Sequence, residues 1–161
     1  MKELIATEIG PIQPHATIHR ILDGTWSLYE LLEYVLDYTG PVHAFVSSFS
    51  ISEAAICSFH QMIEDGRLLS LRCLLDSSLR KTKTPLLFFL QNIGAEVKLT
   101  LNHSKIILLY NHNTSVVINA SANMSRNRRI EAMVLDTNFS TLIYYLKQMN
   151  TLYDSAIPFQ P

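Results

Sequence analysis

His103 and Lys105 lie two residues apart where an apolar run, Ile106 to Leu109, reads as a strand, so both side chains leave the sheet on the same face. An imidazole acts near neutral pH as nucleophile or as general acid and base, and an ammonium neutralises oxyanions. That pairing suits a phosphodiester, a poor electrophile until its oxygens are neutralised. Ile106 to Leu109 and Val116 to Ile118 flank the turn Asn111 to Thr114, the pattern of an antiparallel hairpin. Pairing Tyr110 with Ser115 sets a register that brings Ser121 and Asn123 alongside Ser104 and Asn102, at the end of the hairpin away from the turn. A hydroxyl and an amide there would add donors to the lysine's charge.

The elements that must position these groups can be read from caps and periodicity. Ser27-Leu-Tyr-Glu30 is a capping box, and Leu28, Leu31, Leu32, Val35 and Leu36 continue at helical spacing until Gly40-Pro41. Val42 to Ser47 reads as a buried strand. Ser50 with Glu53 repeats the cap signature, with Ala54, Ala55, Phe59, Met62 and Ile63 as the apolar face before Asp65-Gly66. Leu68 to Leu75 is a second core strand. Asp76 to Thr84, with Arg80, Lys81 and Lys83, reads as a basic loop leading to a helix that begins at Pro85 and closes at Gly94. Strand-like runs follow at Glu96 to Leu101, Lys105 to Tyr110, Ser115 to Ala120 and Ile130 to Asp136. A last helix, with Asn138 as cap, carries Leu142, Ile143, Tyr145, Leu146 and Met149. Alternation followed by consecutive strands predicts an α/β fold with a mixed sheet flanked by helices on both faces, residues 1–161 forming one domain. Residues 1–26 read as an N-terminal arm or edge strand, Ala16 to Leu22 being the candidate strand.

Composition narrows the classes. Of 161 residues 48% are hydrophobic and 17% charged, which argues against disorder. The apolar runs fall well short of the ~20 residues a membrane helix needs, and no signal-peptide pattern opens the chain; a cytoplasmic protein without membrane attachment is the expectation. Net charge is −1, but basic residues concentrate after Gly66, eleven against five acidic, while two face nine before it. Cys57 and Cys73 have no metal-ligand spacing and read as small buried hydrophobes. His15 and His19 lack a third ligand, His43 and His60 read as structural, and Asn111-His112-Asn113 is a turn without the ligands of a metal nuclease. No metal and no cofactor are expected.

The sequence His103-Ser-Lys105, then Ala120-Ser-Ala-Asn123, then Met124-Ser-Arg-Asn-Arg-Arg-Ile-Glu131 resembles the phospholipase D superfamily. The motif of that family runs His, any residue, Lys, four residues, Asp, and later Gly-Ser, any residue, Asn. This chain is similar to a single copy, departing at Tyr110 in place of Asp and at Ala120 in place of Gly. The family Asp supports the fold from the far end of its strand, and the tyrosyl-DNA phosphodiesterase branch is active without it. The resemblance implies a metal-independent phosphodiesterase. His103 attacks phosphorus to give a phosphohistidine, Lys105, Ser121 and Asn123 stabilise the phosphoryl oxygens, and Glu131 holds a ring nitrogen of His103. One motif copy implies a homodimer in which a second histidine protonates the leaving oxygen. Arg126, Arg128 and Arg129 would line the approach for DNA or RNA, since short one-motif members are bacterial nucleases. Two rival readings remain: an inactive nucleic-acid-binding module, favoured by Tyr110, and a lipid phosphodiesterase, disfavoured because lipid-cleaving members carry two motifs in a longer chain.

Overall fold

The computed structural model, which describes residues 1–126 and 128–160, alternates helix and strand as far as Asp76 and later runs through four consecutive strands, in the order α1 (Lys2–Ile9), β1 (Thr17–Leu22), α2 (Leu28–Thr39), β2 (Val42–Ser48), α3 (Glu53–Glu64), β3 (Leu68–Asp76), α4 (Leu79–Thr82), α5 (Thr84–Asn92), β4 (Glu96–Thr100), β5 (Ile106–Tyr110), β6 (Ser115–Ala120), β7 (Glu131–Asp136), α6 (Phe139–Ser155) and β8 (Ile157–Pro158). The strands form one mixed sheet, ordered β1-β7-β6-β5-β2-β3-β4-β8. β2, β3 and β4 run parallel, and every other neighbouring pair is antiparallel.

Local chemistry explains the boundaries. Glu30 accepts from the backbone N–H of Ser27 at 2.8 Å and the Ser27 hydroxyl takes the Glu30 N–H in return, so α2 starts at its capping box. The cap of α3 falls on Ser52 and not on Ser50 as the sequence suggests; Ser52 Oγ accepts the Ala55 N–H at 3.3 Å. The reason lies one residue earlier, where Ile51 is held extended by a parallel bridge to Met124. Residues Leu79–Thr82 form a helical turn where a loop is expected, because the Asp76 carboxylate takes the N–H of Ser78 at 2.9 Å and turns the chain as it leaves β3.

Alternation along the central strands sends side chains to two faces. Ala44, Val46, Leu71, Cys73, Ile107, Leu109, Val116 and Ile118 meet α1, α2, α3 and α5 in the larger core, while Phe45, Leu74, Leu108 and Val117 meet Leu142, Met149 and Tyr153 of α6. Burial pushes the Cys73 thiol up to about 12, whereas Cys57, expected to be buried, is exposed on α3. Beside α6, Arg72 stacks 4.5 Å from the Phe45 ring and donates to Asn150 and, at 3.1 Å, to the Tyr110 hydroxyl.

The N-terminal region departs from the expected arm. β1 is the anticipated edge strand, pairing Thr17 with Asp136 through Leu22 with Glu131, but α1 precedes it and buries Ile5 and Ile9 in the larger core. Trp26 Nε1 donates to Glu8 at 2.8 Å, and Tyr34 donates to the carbonyl of Gly10 at 2.7 Å. Two apolar residues four apart give too weak a stripe to be read as a helix in the sequence. Since Ile5 has no accessible surface, Ile5→Ala is expected to lower stability by about 2–4 kcal/mol in urea denaturation. A change below about 0.5 kcal/mol would mean that α1 is not part of the core.

Candidate active site

The parallel strands β2, β3 and β4 finish at Ser48, Asp76 and Thr100, and β5 starts beside them with Ile106 opposite Ser47. The segment Leu101 to Lys105 therefore crosses the carboxyl ends of the parallel strands, where open α/β sheets bind ligands. Asn102, 8% exposed, fixes its path. The amide donates to Ser47 Oγ at 2.9 Å and to the Leu74 carbonyl at 2.8 Å, and its oxygen accepts the N–H and hydroxyl of Ser104 at 2.9 and 2.7 Å. With those donors assigned, the Ser47 hydroxyl donates to Ser104 at 2.6 Å and closes a ring in which every proton has an acceptor. The backbone N–H of Asn102 goes to Asp76 Oδ2 at 2.9 Å. Burial opposes ionisation of Asp76, but hydrogen bonds from Ser78 and Asn102, with the charge of His103, hold its carboxyl below the ordinary range.

This frame turns His103 outward and Lys105 inward. His103 is exposed and its ring packs 5.0 Å from that of Phe49. Lys105 is 8% exposed. Its Nζ donates to the His103 carbonyl at 2.6 Å and approaches the ring at Nδ1, 3.0 Å, and Nε2, 3.5 Å. Desolvation lowers the affinity of Lys105 for its proton, and the negative charge of Glu131 offsets only part of that. The predicted pair is thus in direct contact, with a desolvated cation under the imidazole.

The hairpin register is the one expected from the sequence, Tyr110 opposite Ser115 and Ile106 opposite Asn119, and it persists to the bond from Ala120 N–H to the Lys105 carbonyl at 3.0 Å. Beyond that point the chain leaves β5. The Ser121 N–H donates to the Ala132 carbonyl at 2.9 Å, and its hydroxyl donates to Glu131 while accepting the Ala132 N–H at 2.9 Å. Its proton is directed at Glu131, so the position expected to offer a donor to phosphate orients the carboxylate. Asn123 does not face Asn102. It sits over buried Ser48, whose hydroxyl donates to the Ser50 carbonyl at 2.7 Å and lies 3.5 Å from Asn123 Oδ1, while Met124 is tied to Ser48 and Ser52. The backbone N–H of Asn102 is taken by Asp76 and that of Ser121 by Ala132, so the simple extension of the ladder stops at Ala120.

Of the three arginines, Arg126 forms a 2.5 Å ion pair with Glu30, the capping carboxylate of α2. Burial works against Glu30's charge, but Arg126 and Ser27 outweigh it and hold the carboxyl low, while Glu30 raises the Arg126 guanidinium. Arg126 therefore anchors the loop. Arg129 lies beside a small crevice with Trp26, Ala122 and Glu131, and Arg128 is exposed. Tyr110 stands at the far end of β5 opposite His43, remote from His103. Among the described residues, no group of three or more His, Cys, Asp or Glu side chains could hold a metal ion.

Asp76, Ser47, Ser48 and Asn102 escape the sequence reading. The available signal was the placement of Asp76 and Ser48 at the ends of two core strands, but their partners lie 26 to 76 residues away.

No protein-family model matches the chain, and no curated protein matches it. Solved structures do. Nuc from Salmonella typhimurium, a phospholipase D family member, superposes with TM-score 0.68 at 12% identity over 91% of this chain and 99% of that one. NucT from Helicobacter pylori gives 0.69 at 13% identity over 89% and 100%. TrmBL2, an archaeal chromatin protein described as showing a novel mode of DNA binding, gives 0.61 at 13% identity over 98% of this chain and 58% of its own. The chain has the phospholipase D fold.

A buried ammonium is costly to folding, and its sign can be worked out. The folded state binds the Lys105 proton less tightly than the unfolded chain, whose value is near 10.5, so stability rises with pH through the window just below 10.5. Lys105→Met is expected to raise stability at pH 7 by about 0.5–2 kcal/mol and to flatten that rise, as measured by urea denaturation at several pH values. A variant less stable than wild type at pH 7 would show that the ammonium is well solvated or holds the fold together.

Proposed function

We propose that this chain, as one domain with the phospholipase D fold, is a phosphodiesterase of the nuclease type that works without a metal. The supporting observation is the contact between exposed His103 and buried Lys105 at the carboxyl end of the sheet. The phosphoryl oxygens take the hydrogen bonds that Lys105 now gives to the imidazole and the His103 carbonyl, and Asn123 adds an amide donor from the other side. A ring nitrogen of His103, freed from the lysine, forms a bond to phosphorus as the bond to the leaving oxygen breaks. Glu131, oriented by Ser121, stabilises the positive charge that develops nearby.

The leaving oxygen needs a proton, and one half-site has one histidine of this kind. The reading assigns the proton to the partner's His103 across a two-fold axis; the same group then accepts a proton from the water that cleaves the phosphohistidine. The rim is consistent with a second copy of this chain: Ile130, the neighbour of Glu131, is 79% exposed. A cytoplasmic setting belongs to the same reading; among the described residues, no helix is long and apolar enough to cross a membrane.

A nucleic-acid-binding module without turnover is the second reading, and two observations favour it: the fold is shared with an archaeal chromatin protein, and Tyr110 occupies the position of the family Asp. Tyr110 accepts from Arg72 at 3.1 Å and so fills a supporting role at that end of the strand, which keeps the enzyme reading ahead.

Cleavage of DNA or RNA is expected to persist in excess EDTA and to fall at least about 10³-fold in His103→Ala, with nucleic-acid binding retained. Specific activity should also fall on dilution as the dimer separates. Binding with no EDTA-resistant cleavage of any single- or double-stranded substrate would replace the enzyme by the binding module.

A further inference from the structure

Two positive charges outside the motif, Arg80 on α4 and Lys83 directly after it, have no carboxylate partner among the described residues. Lys83 is half-buried, and its Nζ donates to Ser50 Oγ at 2.9 Å and to the Ile51 carbonyl at 3.0 Å, both neutral oxygens. Among the described residues, neither Lys83 nor Arg80 is in an ion pair, in contrast to Arg126. Holding an ammonium half-buried on neutral partners costs desolvation that an anion would offset.

Lys83 is also wired to the half-site. Ser50, its partner, offers its carbonyl to Ser48 at 2.7 Å; Ser48 faces Asn123, and Ile51 bridges Met124. On the other flank Arg80 lines an open groove of about 290 Å³ with Ser77, Thr100, Leu99, Leu101 and Ile157, and Leu101 stands two residues before His103. The groove combines one guanidinium and three hydroxyls, those of Ser77, Thr100 and Ser155, with an apolar wall. That chemistry fits a planar, unstacked base with a phosphate beside it, and it gives a lipid acyl chain no reason to need the arginine.

We infer that α4 and the residue after it supply two phosphate contacts beyond the scissile linkage, Lys83 on the Ser48–Asn123 flank of the half-site and Arg80 in the groove beside Leu101, so that the preferred substrate is a single-stranded nucleic acid. The inference rests on the half-site reading for its location but makes a separate claim: the substrate must be a chain of phosphates, and a lone diester leaves both contacts unused.

The test is equilibrium binding of a fluorescently labelled single-stranded oligonucleotide to the full chain carrying His103→Ala, by anisotropy in EDTA at 50 to 200 mM salt. Adding Arg80→Ala or Lys83→Met is expected to weaken binding roughly threefold each at the lower salt and to reduce the slope of log affinity against log salt by about 0.7 per cation. An oligonucleotide with one methylphosphonate beside the central linkage should bind the His103→Ala chain more weakly than the all-phosphate strand, and the Lys83→Met chain should no longer distinguish the two. Exposed Arg80 can be changed without disturbing the core, so the test survives if Lys83→Met fails to fold. Binding with an unchanged slope and no methylphosphonate effect overturns the inference. Preferential binding of anionic phosphatidylglycerol vesicles through Arg80 and Lys83, with no oligonucleotide binding, overturns it as well. A reduced slope in the variants, together with wild-type chain that hydrolyses neither oligonucleotide nor bis(p-nitrophenyl) phosphate, would uphold the two phosphate contacts while removing the enzyme reading.

Discussion

The Lys105 ammonium, buried at the open end of the sheet, is the constraint around which the site is organised. Left without compensation, a desolvated cation would neutralise or draw the strand end into water. It is held by the carbonyl of His103 and, through space, by the charge of Glu131. Both supports require further structure. The His103 carbonyl is in place because Asn102 fixes the crossing segment, and Glu131 is in place because Ser121 reaches it across the start of β7. On the proposed function, the oxygens of a phosphate would replace the solvation this cation gave up on folding.

The sheet supplies what such a site needs most, rigidity. β2 lies at the centre with β3 and β5 on either side, and its last two residues, Ser47 and Ser48, each hold one half of the constellation: Ser47 the His103 segment through Asn102, and Ser48 the Asn123 segment. Neighbouring residues of a strand point to opposite faces, so one strand end can anchor two segments that approach from different sides. Tyr110 illustrates the converse. At the far end of β5 it packs with Arg72 and His43 against the smaller core, at the opposite end of the strand from His103.

Much of this was legible in the sequence because local signals and distant ones agreed. The capping box at Ser27, the apolar runs of β5 and β6, and the Tyr110–Ser115 register all depend on residues close in the chain. The His103–Lys105 contact was expected from a shared strand face, but both residues lie before β5 begins, and they meet because the segment turns His103 outward and Lys105 inward. What could not be read depends on remote partners. Helix α1 is weakly patterned and is fixed by contacts to Tyr34 and Trp26. The shift of the α3 cap from Ser50 to Ser52 depends on Met124, and the ion pair that takes Arg126 out of the approach depends on Glu30, 96 residues away. Asp76 and Asn102 show no motif at all; their role exists only once β3 and the β4–β5 segment are side by side.

The central claim is that His103 becomes covalently attached to phosphorus. It is tested most directly by mixing the wild-type chain with an oligonucleotide carrying ³²P at the scissile linkage in EDTA, quenching in base on the millisecond to second scale, and mapping the labelled peptide by mass spectrometry. The account predicts an acid-labile, base-stable phosphoryl adduct on His103 that forms and decays at the rate of turnover. Rapid EDTA-resistant cleavage with no label on His103 at any time would contradict it.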